Sequence, residues 1–225
     1  MSVLAELLAL VAPPSCPGCR RALVRADERL CAACVRALPW LRPGCVRCGL
    51  PAHRGSACPA ASAAFPRAWA PMAYQGVARE LVGALKFRAA LPVADLMAAH
   101  MAATLPAVLR GLDASLVPVP PQRARRRARG YDPAGELTRA LSRRLSSPVA
   151  TCLVRSDRAG RQVGAGWRAR QEAGRIVVRV RGTPPARVVV VDDVHTTGAT
   201  LDACARALVS EGVRVVAVLS YARTL

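Results

Sequence analysis

Lysine is almost missing from this chain. Of 33 lysine and arginine side chains in 225 residues, one is a lysine, Lys86, and the rest are arginine. Arginine carries a planar fork of donors that matches phosphate, which suits nucleotides or nucleic acid as partners. Codon usage biased towards Arg, Ala and Val is the competing reading of the same excess. Acidic side chains are also few, 14 in all, and the formal net charge is +19. That imbalance bears on association and not on fold. Aromatic residues make up only 4%, which argues against a surface built to stack bases. No apolar run approaches the ~18 residues of a membrane-spanning helix, so no membrane insertion is expected. No signal peptide is expected at the start either. The opening MSVLAELLALVAPPSC has no basic start and carries Glu6 within its apolar run. Leu4, Leu7, Leu8 and Val11 instead fall at helical spacing, predicting a short amphipathic helix stopped by Pro13 and Pro14. The expected location is cytoplasmic.

Hydrophobic residues reach 52%, enough for a packed core and too many for global disorder. The length suits one ordinary domain plus a small module.

Cysteine usage defines the module. Seven of the nine cysteines precede residue 60, as CPGC (Cys16, Cys19), CAAC (Cys31, Cys34), CVRC (Cys45, Cys48) and the single Cys58. Paired C-x2-C turns in a chain without a secretion signal point to zinc and not to disulfides. Cys16, Cys19, Cys31 and Cys34 supply a complete tetrahedral set of thiolates. The second half lacks its fourth cysteine, because position 61 is alanine. His53 is the candidate replacement beside Cys45, Cys48 and Cys58, a solvated loop histidine being the alternative. A closed four-ligand site is structural, and a segment this small needs such a staple to fold. The domain reading is therefore a double zinc ribbon over 1–64 followed by a larger domain over 65–225.

From Phe65 the pattern alternates. A strand-like piece precedes a helix over Val77–Arg88, and a second helix is predicted over Val93–Arg110. Ala114–Pro121 reads as a strand closed by prolines, and five arginines follow between Arg123 and Arg129. YDPAGELTRALSRRL reads as a helix, PVATCLVR as a strand and RIVVRV (Arg175–Val180) as another. Ser156–Gln171 is rich in Gly and Arg without apolar periodicity, a candidate mobile loop. GVRVVAVLSYAR completes the sheet. Strands alternating with helices predict an α/β fold with a mainly parallel sheet flanked by helices.

The stretch VVVVDDVHTTGAT, Val188–Thr200, carries the chemistry. Four valines read as a strand buried on both faces. Asp192 and Asp193 follow at its carboxyl end, where open α/β sheets bind ligands. Thr196, Thr197, Gly198 and Thr200 then lead into a helix that begins near Ala199. Hydroxyls and unpaired amides at a helix start suit a phosphate, and the paired carboxylates suit sugar hydroxyls or a metal. Helix capping accounts for one acidic residue there, not two followed by TTGAT.

These thirteen residues resemble the phosphoribosyl-pyrophosphate (PRPP) loop of type I phosphoribosyltransferases. Taken with the cysteine ribbon, YQGVARELVGALKF, VPVPPQRARRRARGYDPAGELT and RQVGAGWRARQEAGR, nearly the whole chain resembles the ComF-type competence protein family. That family joins a zinc ribbon to a phosphoribosyltransferase domain. The resemblance implies Mg2+-dependent phosphoribosyl transfer to or from a nitrogen acceptor that the sequence does not identify. It places Asp192 and Asp193 at the ribose hydroxyls, directly or through magnesium. It places Thr196, Thr197, Gly198, Ala199 and Thr200 around the 5-phosphate. Val117–Pro121, with Val119 and Pro120 at its centre, matches the pyrophosphate loop, followed by Arg123, Arg127 and Arg129 as candidate phosphate contacts. Arg155–Arg170 matches the closing loop.

The family's link to natural transformation also implies a competing role, a binding or helper module for single-stranded DNA and its uptake helicase. A PRPP-sensing regulator is a third reading. Asp132 stands where the family commonly has asparagine and adds a charge near the site. His195 is read as substrate-facing or solvated, without a catalytic role. Lys86 is read as a helix-surface lysine, and Cys152 and Cys204 as core residues. The oligomeric state is left open.

Overall fold

Valine runs fix the centre of the molecule. The computed structural model describes residues 14–25, 27–53, 57–155 and 176–225. Its strands are β1 (Ala68–Trp69), β2 (Met72–Ala73), β3 (Ser115–Pro118), β4 (Leu153–Arg155), β5 (Val178–Val180), β6 (Arg187–His195) and β7 (Arg214–Arg223). Its helices are α1 (Ala32–Arg36), α2 (Gly76–Phe87), α3 (Pro92–Thr104), α4 (Arg123–Arg129), α5 (Pro133–Leu145) and α6 (Ala199–Val209). The main sheet runs β1–β7–β6–β3, with β2 also on β7, and every pairing in it is parallel. β6 and β7 are its two inner strands. Helices pack on both faces, which is why these strands are apolar throughout instead of alternating. The expected α/β architecture with a mainly parallel, helix-flanked sheet is thus present.

Several elements differ from the sequence reading. The helix from Pro92 ends at Thr104 and not at Arg110, with a 3-10 turn over Ala107–Leu109. Pro106 explains the break, since a proline excludes the helical conformation from the residue before it. The arginine run forms a short helix, α4, closed by Gly130 at φ 79°. β4 and β5 pair antiparallel with each other, away from the main sheet. Val149 alone bridges to Leu116 at the β3 edge. The strand after the valines extends through both aspartates to His195. The predicted amino-terminal helix and the whole of the candidate mobile loop lie outside the described residues.

The two cysteine halves are built into the core. Cys16, Leu23, Leu30, Cys34 and Leu38 join the cluster containing Leu81, Leu85, Met97 and Tyr221 on one side of the sheet. Cys48, Ala60 and Phe65 join Val117, Val190, Leu201 and Leu208 on the other. Gly18 permits the first contact: a side chain there would meet Cys34 Sγ at 3.0 Å and Val77 at 3.1 Å.

Candidate functional site

Asp192 and Asp193 lie near the end of β6, pointing to opposite faces as strand neighbours must. Asp193 is buried and receives Lys86 Nζ at 2.6 Å. Its own amide donates to Asp192 Oδ1 at 2.8 Å. Lys86 is thus not the surface lysine the helix pattern suggested. It stands at the end of α2, one residue after the buried Leu85 and four after the buried Val82. That position borders the apolar stripe, and its long stem carries the ammonium past it to the sheet. Tyr131 donates its hydroxyl to Leu85 O at 2.5 Å, which draws the Asp132 corner to the same place. Asp132 caps α5, and burial pushes its carboxyl up while the amides of Gly135 and Ala134 pull it down. Its charge is felt at Asp192. Lys86 thus pairs with Asp193 and its charge also acts on Asp192.

Burial raises Asp192 most, the charge of Asp193 adds to this, and Lys86 opposes it; the carboxyl is pushed up to about 8. A raised folded-state value means that the folded protein holds this proton more tightly than the unfolded chain. Stability is therefore fullest below the ordinary carboxyl value of 3.8 and falls as pH rises towards 8. In ligand-free protein, the melting temperature should decline between pH 5 and pH 8.5, and Asp192→Asn should flatten that decline. An unchanged slope in the variant would assign the pH dependence to other groups.

The loop after β6 turns at Gly198, whose φ is 85°. Thr196, Thr197 and Ala199 are exposed and Thr200 is half-buried. Thr197 Oγ1 accepts from the Ala199 amide at 3.3 Å. The first turn of α6 thus follows the aspartates by a short loop and carries hydroxyls at its start. His195 is neither solvated nor substrate-facing. It is 3% exposed, edge-on to Phe65, and burial with the nearby Arg223 holds it down at about 4. The valines before it are buried on both faces and carry no alternation, so this placement comes from the fold, which brings Phe65 to the end of the strand.

Val119 and Pro120 lie alongside. β3 pairs with β6 so that Pro118 faces Val191, and the Val119 amide donates to Val191 O at 2.9 Å. That amide is committed and Pro120 has none, so these two residues shape the loop and offer no main-chain donor to an anion. Arg123 and Arg127 are exposed on α4, and Arg129 lies over the Phe87 ring at 5.0 Å, next to Lys86. Cys152 and Cys204 are buried, as expected of core residues.

Both cysteine clusters are assembled. In each set, Cys16, Cys19, Cys31, Cys34 and Cys45, Cys48, His53, Cys58, the ligand atoms lie within 4.8 Å of one another. His53 Nδ1 is buried without a hydrogen-bond partner, as expected of an imidazole facing a metal among thiols. Amides of Cys48 and Arg47 bring the Cys45 thiol down to about 6. Burial would raise Cys16, but amides of Cys31, Cys19 and Gly18 outweigh it and bring that thiol to about 6 as well. Burial pushes Cys34 up, and Cys48 up to about 11, so in each set one thiol is readied as the thiolate zinc requires and another gives up its proton only to the metal.

Comparison with known proteins agrees with this geometry. The family model described as a double zinc ribbon domain matches residues 7–62. No curated protein matches the chain. The amino-terminal part is accordingly a double zinc ribbon with two structural zinc sites, carried by an α/β domain with a parallel sheet. Among the described residues no helix is long and apolar enough to cross a membrane.

Proposed function

We propose that the chain is a PRPP-binding phosphoribosyltransferase of the ComF type, with a type I phosphoribosyltransferase-like domain over 65–225 and the zinc ribbon over 1–64. The observation that carries this reading is the paired carboxylates of Asp192 and Asp193 at the carboxyl end of an inner parallel strand, leading through Gly198 into a helix start lined by threonines. Asp192 accepts ribose hydroxyls. Asp193, fixed and neutralised by Lys86, keeps the combined charge low enough for an anionic sugar phosphate to approach. Thr196, Thr197, Thr200 and the first amides of α6 take the 5-phosphate. Arg123 and Arg127 face the leaving pyrophosphate side, where fixed positive charge stabilises the negative charge that develops as the bond to ribose carbon 1 breaks. Asp193 is taken up by Lys86 on the other face of the strand, so Asp192 is the carboxylate that would offer oxygen to Mg2+, which when bound with PRPP would supply further charge neutralisation to the pyrophosphate.

The test is calorimetric titration with PRPP and Mg2+ beside the Asp192→Ala/Asp193→Ala variant. Saturable binding by the parent that vanishes in the variant, with two zinc ions retained, is the expected result. Equal binding by both would remove these aspartates from the site. A second reading, a nucleic-acid helper, rests on the exposed arginines of α4 beside the exposed Phe87 ring. It requires salt-dependent binding of single-stranded DNA that the aspartate variant leaves intact.

A further inference from the structure

The second zinc half-site and the phosphate loop share one side chain. Arg223 ends β7 and is 6% exposed. Its Nε donates to the carbonyl of Cys48 at 3.2 Å. Its Nη1 donates to the carbonyls of His195 at 2.8 Å, Thr224 at 3.1 Å and Thr196. One guanidinium thus ties a zinc ligand's main chain to the two residues that open the loop. Among the described residues no carboxylate pairs with it. Zinc held by three thiolates and a neutral imidazole carries net negative charge, so the loaded half-site is the counter-charge this buried cation lacks.

The other end of the loop is tied to the same half-site. Ala64 donates its amide to Asp202 Oδ1, in the first turn of α6, at 2.7 Å. Arg206 bonds Asp202 at 2.8 Å and Ser62 O at 2.7 Å. Arg47, between the two knuckle cysteines, donates to the carbonyls of Ala60, Ala61 and Ala63, so the knuckle holds the strap that holds α6. Phe65, at the end of that strap, packs its ring against His195.

We propose that Arg223 is a positioning residue for the Thr196–Thr200 loop, and that zinc at Cys45, Cys48, His53 and Cys58 sets the order of that loop through it. The first half-site, on the opposite side of the sheet, has no such link among the described contacts. The proposal builds on the assignment of this loop to a ligand phosphate, but its test does not depend on that assignment.

Hydrogen exchange of the amides of residues 196–200 is measured in the full chain, beside zinc content. In Cys45→Ser/Cys58→Ser, zinc should fall from two ions to one and the loop amides should exchange about tenfold faster, towards the lower end of the usual range for site-to-site coupling. Arg223→Met should give the same loop acceleration with both zinc ions retained. Arg223→Lys, which keeps the charge and reaches one carbonyl, should recover part of the protection. If the cysteine variant loses protection throughout the sheet, Arg223→Met at full zinc content decides. Loop exchange unchanged in Arg223→Met overturns the proposal. PRPP titration of the parent separates the two ideas. A parent that does not bind PRPP but whose loop follows Arg223 refutes the ligand assignment alone. A parent that binds PRPP while its loop ignores Arg223 refutes the coupling alone.

Discussion

Replacing Lys86 with methionine should destabilise the protein by about 2–3 kcal/mol at neutral pH, somewhat less than the ~3–5 kcal/mol of breaking a fully buried ion pair. The ammonium side chain is 25% exposed and the Asp193 side chain only 7%, so solvent screens part of the interaction on one side. Removal of the lysine leaves a buried carboxylate beside a second one already pushed up by burial. For a chain of this length the loss corresponds to a fall in melting temperature on the order of 5–10 °C. The effect has a distinctive signature. Asp193→Asn in the Lys86→Met background should restore most of the stability, because it removes the uncompensated charge. It should not restore PRPP binding, which needs the acidic pair. A double-mutant cycle measures this directly: the two substitutions should be strongly non-additive. Additive costs would mean that the 2.6 Å contact contributes little and that Lys86 matters only through its stem.

The Lys86 contact also marks where sequence reasoning stops. The helix was legible: Leu81, Val82 and Leu85 define its buried stripe, and its observed limits match the prediction within a residue. The destination of a side chain at the border of that stripe was not, because it depends on which strand lies beneath the helix end. Arg223 has the same history. The strand GVRVVAVLSYAR was legible from its apolar run, but its inner position beside β6 comes from pairings distant in sequence, and the arginine's partners come with it. His195 was not legible either: the valine run is buried on both faces and carries no period, and the histidine four residues past Val191 is covered by Phe65, a partner that only the fold supplies.

The cysteine segment divides similarly. Spacing identified the first zinc set outright, since four thiolates in two knuckles leave no choice of ligand. The second set needed a histidine across a loop, and only the fold brings His53 to three thiols. Nothing in the spacing foretold that the two halves would pack on opposite sides of the sheet. That outcome follows from which apolar residues flank each knuckle: Leu23, Leu30 and Leu38 around the first, Ala60 and Phe65 after the second.

Gly198→Ala should reduce PRPP affinity by at least about tenfold, because two independent costs fall on the loop that takes the phosphate. At φ 85° an alanine pays about 1–2 kcal/mol for the left-handed conformation. A Cβ there would also lie 2.8 Å from His195 Nε2, a distance that real contacts do not show. His195 cannot simply swing away. It is packed edge-on to Phe65, and its own carbonyl is held by Arg223 and by the Thr224 amide. The strain should therefore be relieved on the loop side, by a shift of Thr196 and Thr197 that misplaces the hydroxyls. The two costs separate experimentally. Truncating the histidine in Gly198→Ala/His195→Ala removes the clash and leaves the backbone penalty, so part of the affinity should return while the melting temperature falls from the cavity left beside Phe65. Gly198→Asn, a residue that tolerates the left-handed region, should be no better than alanine if the clash dominates and clearly better if backbone conformation dominates. Affinity equal to the parent in Gly198→Ala would mean that the loop does not need this geometry, and the phosphate would have to be sought elsewhere along the sheet's carboxyl edge.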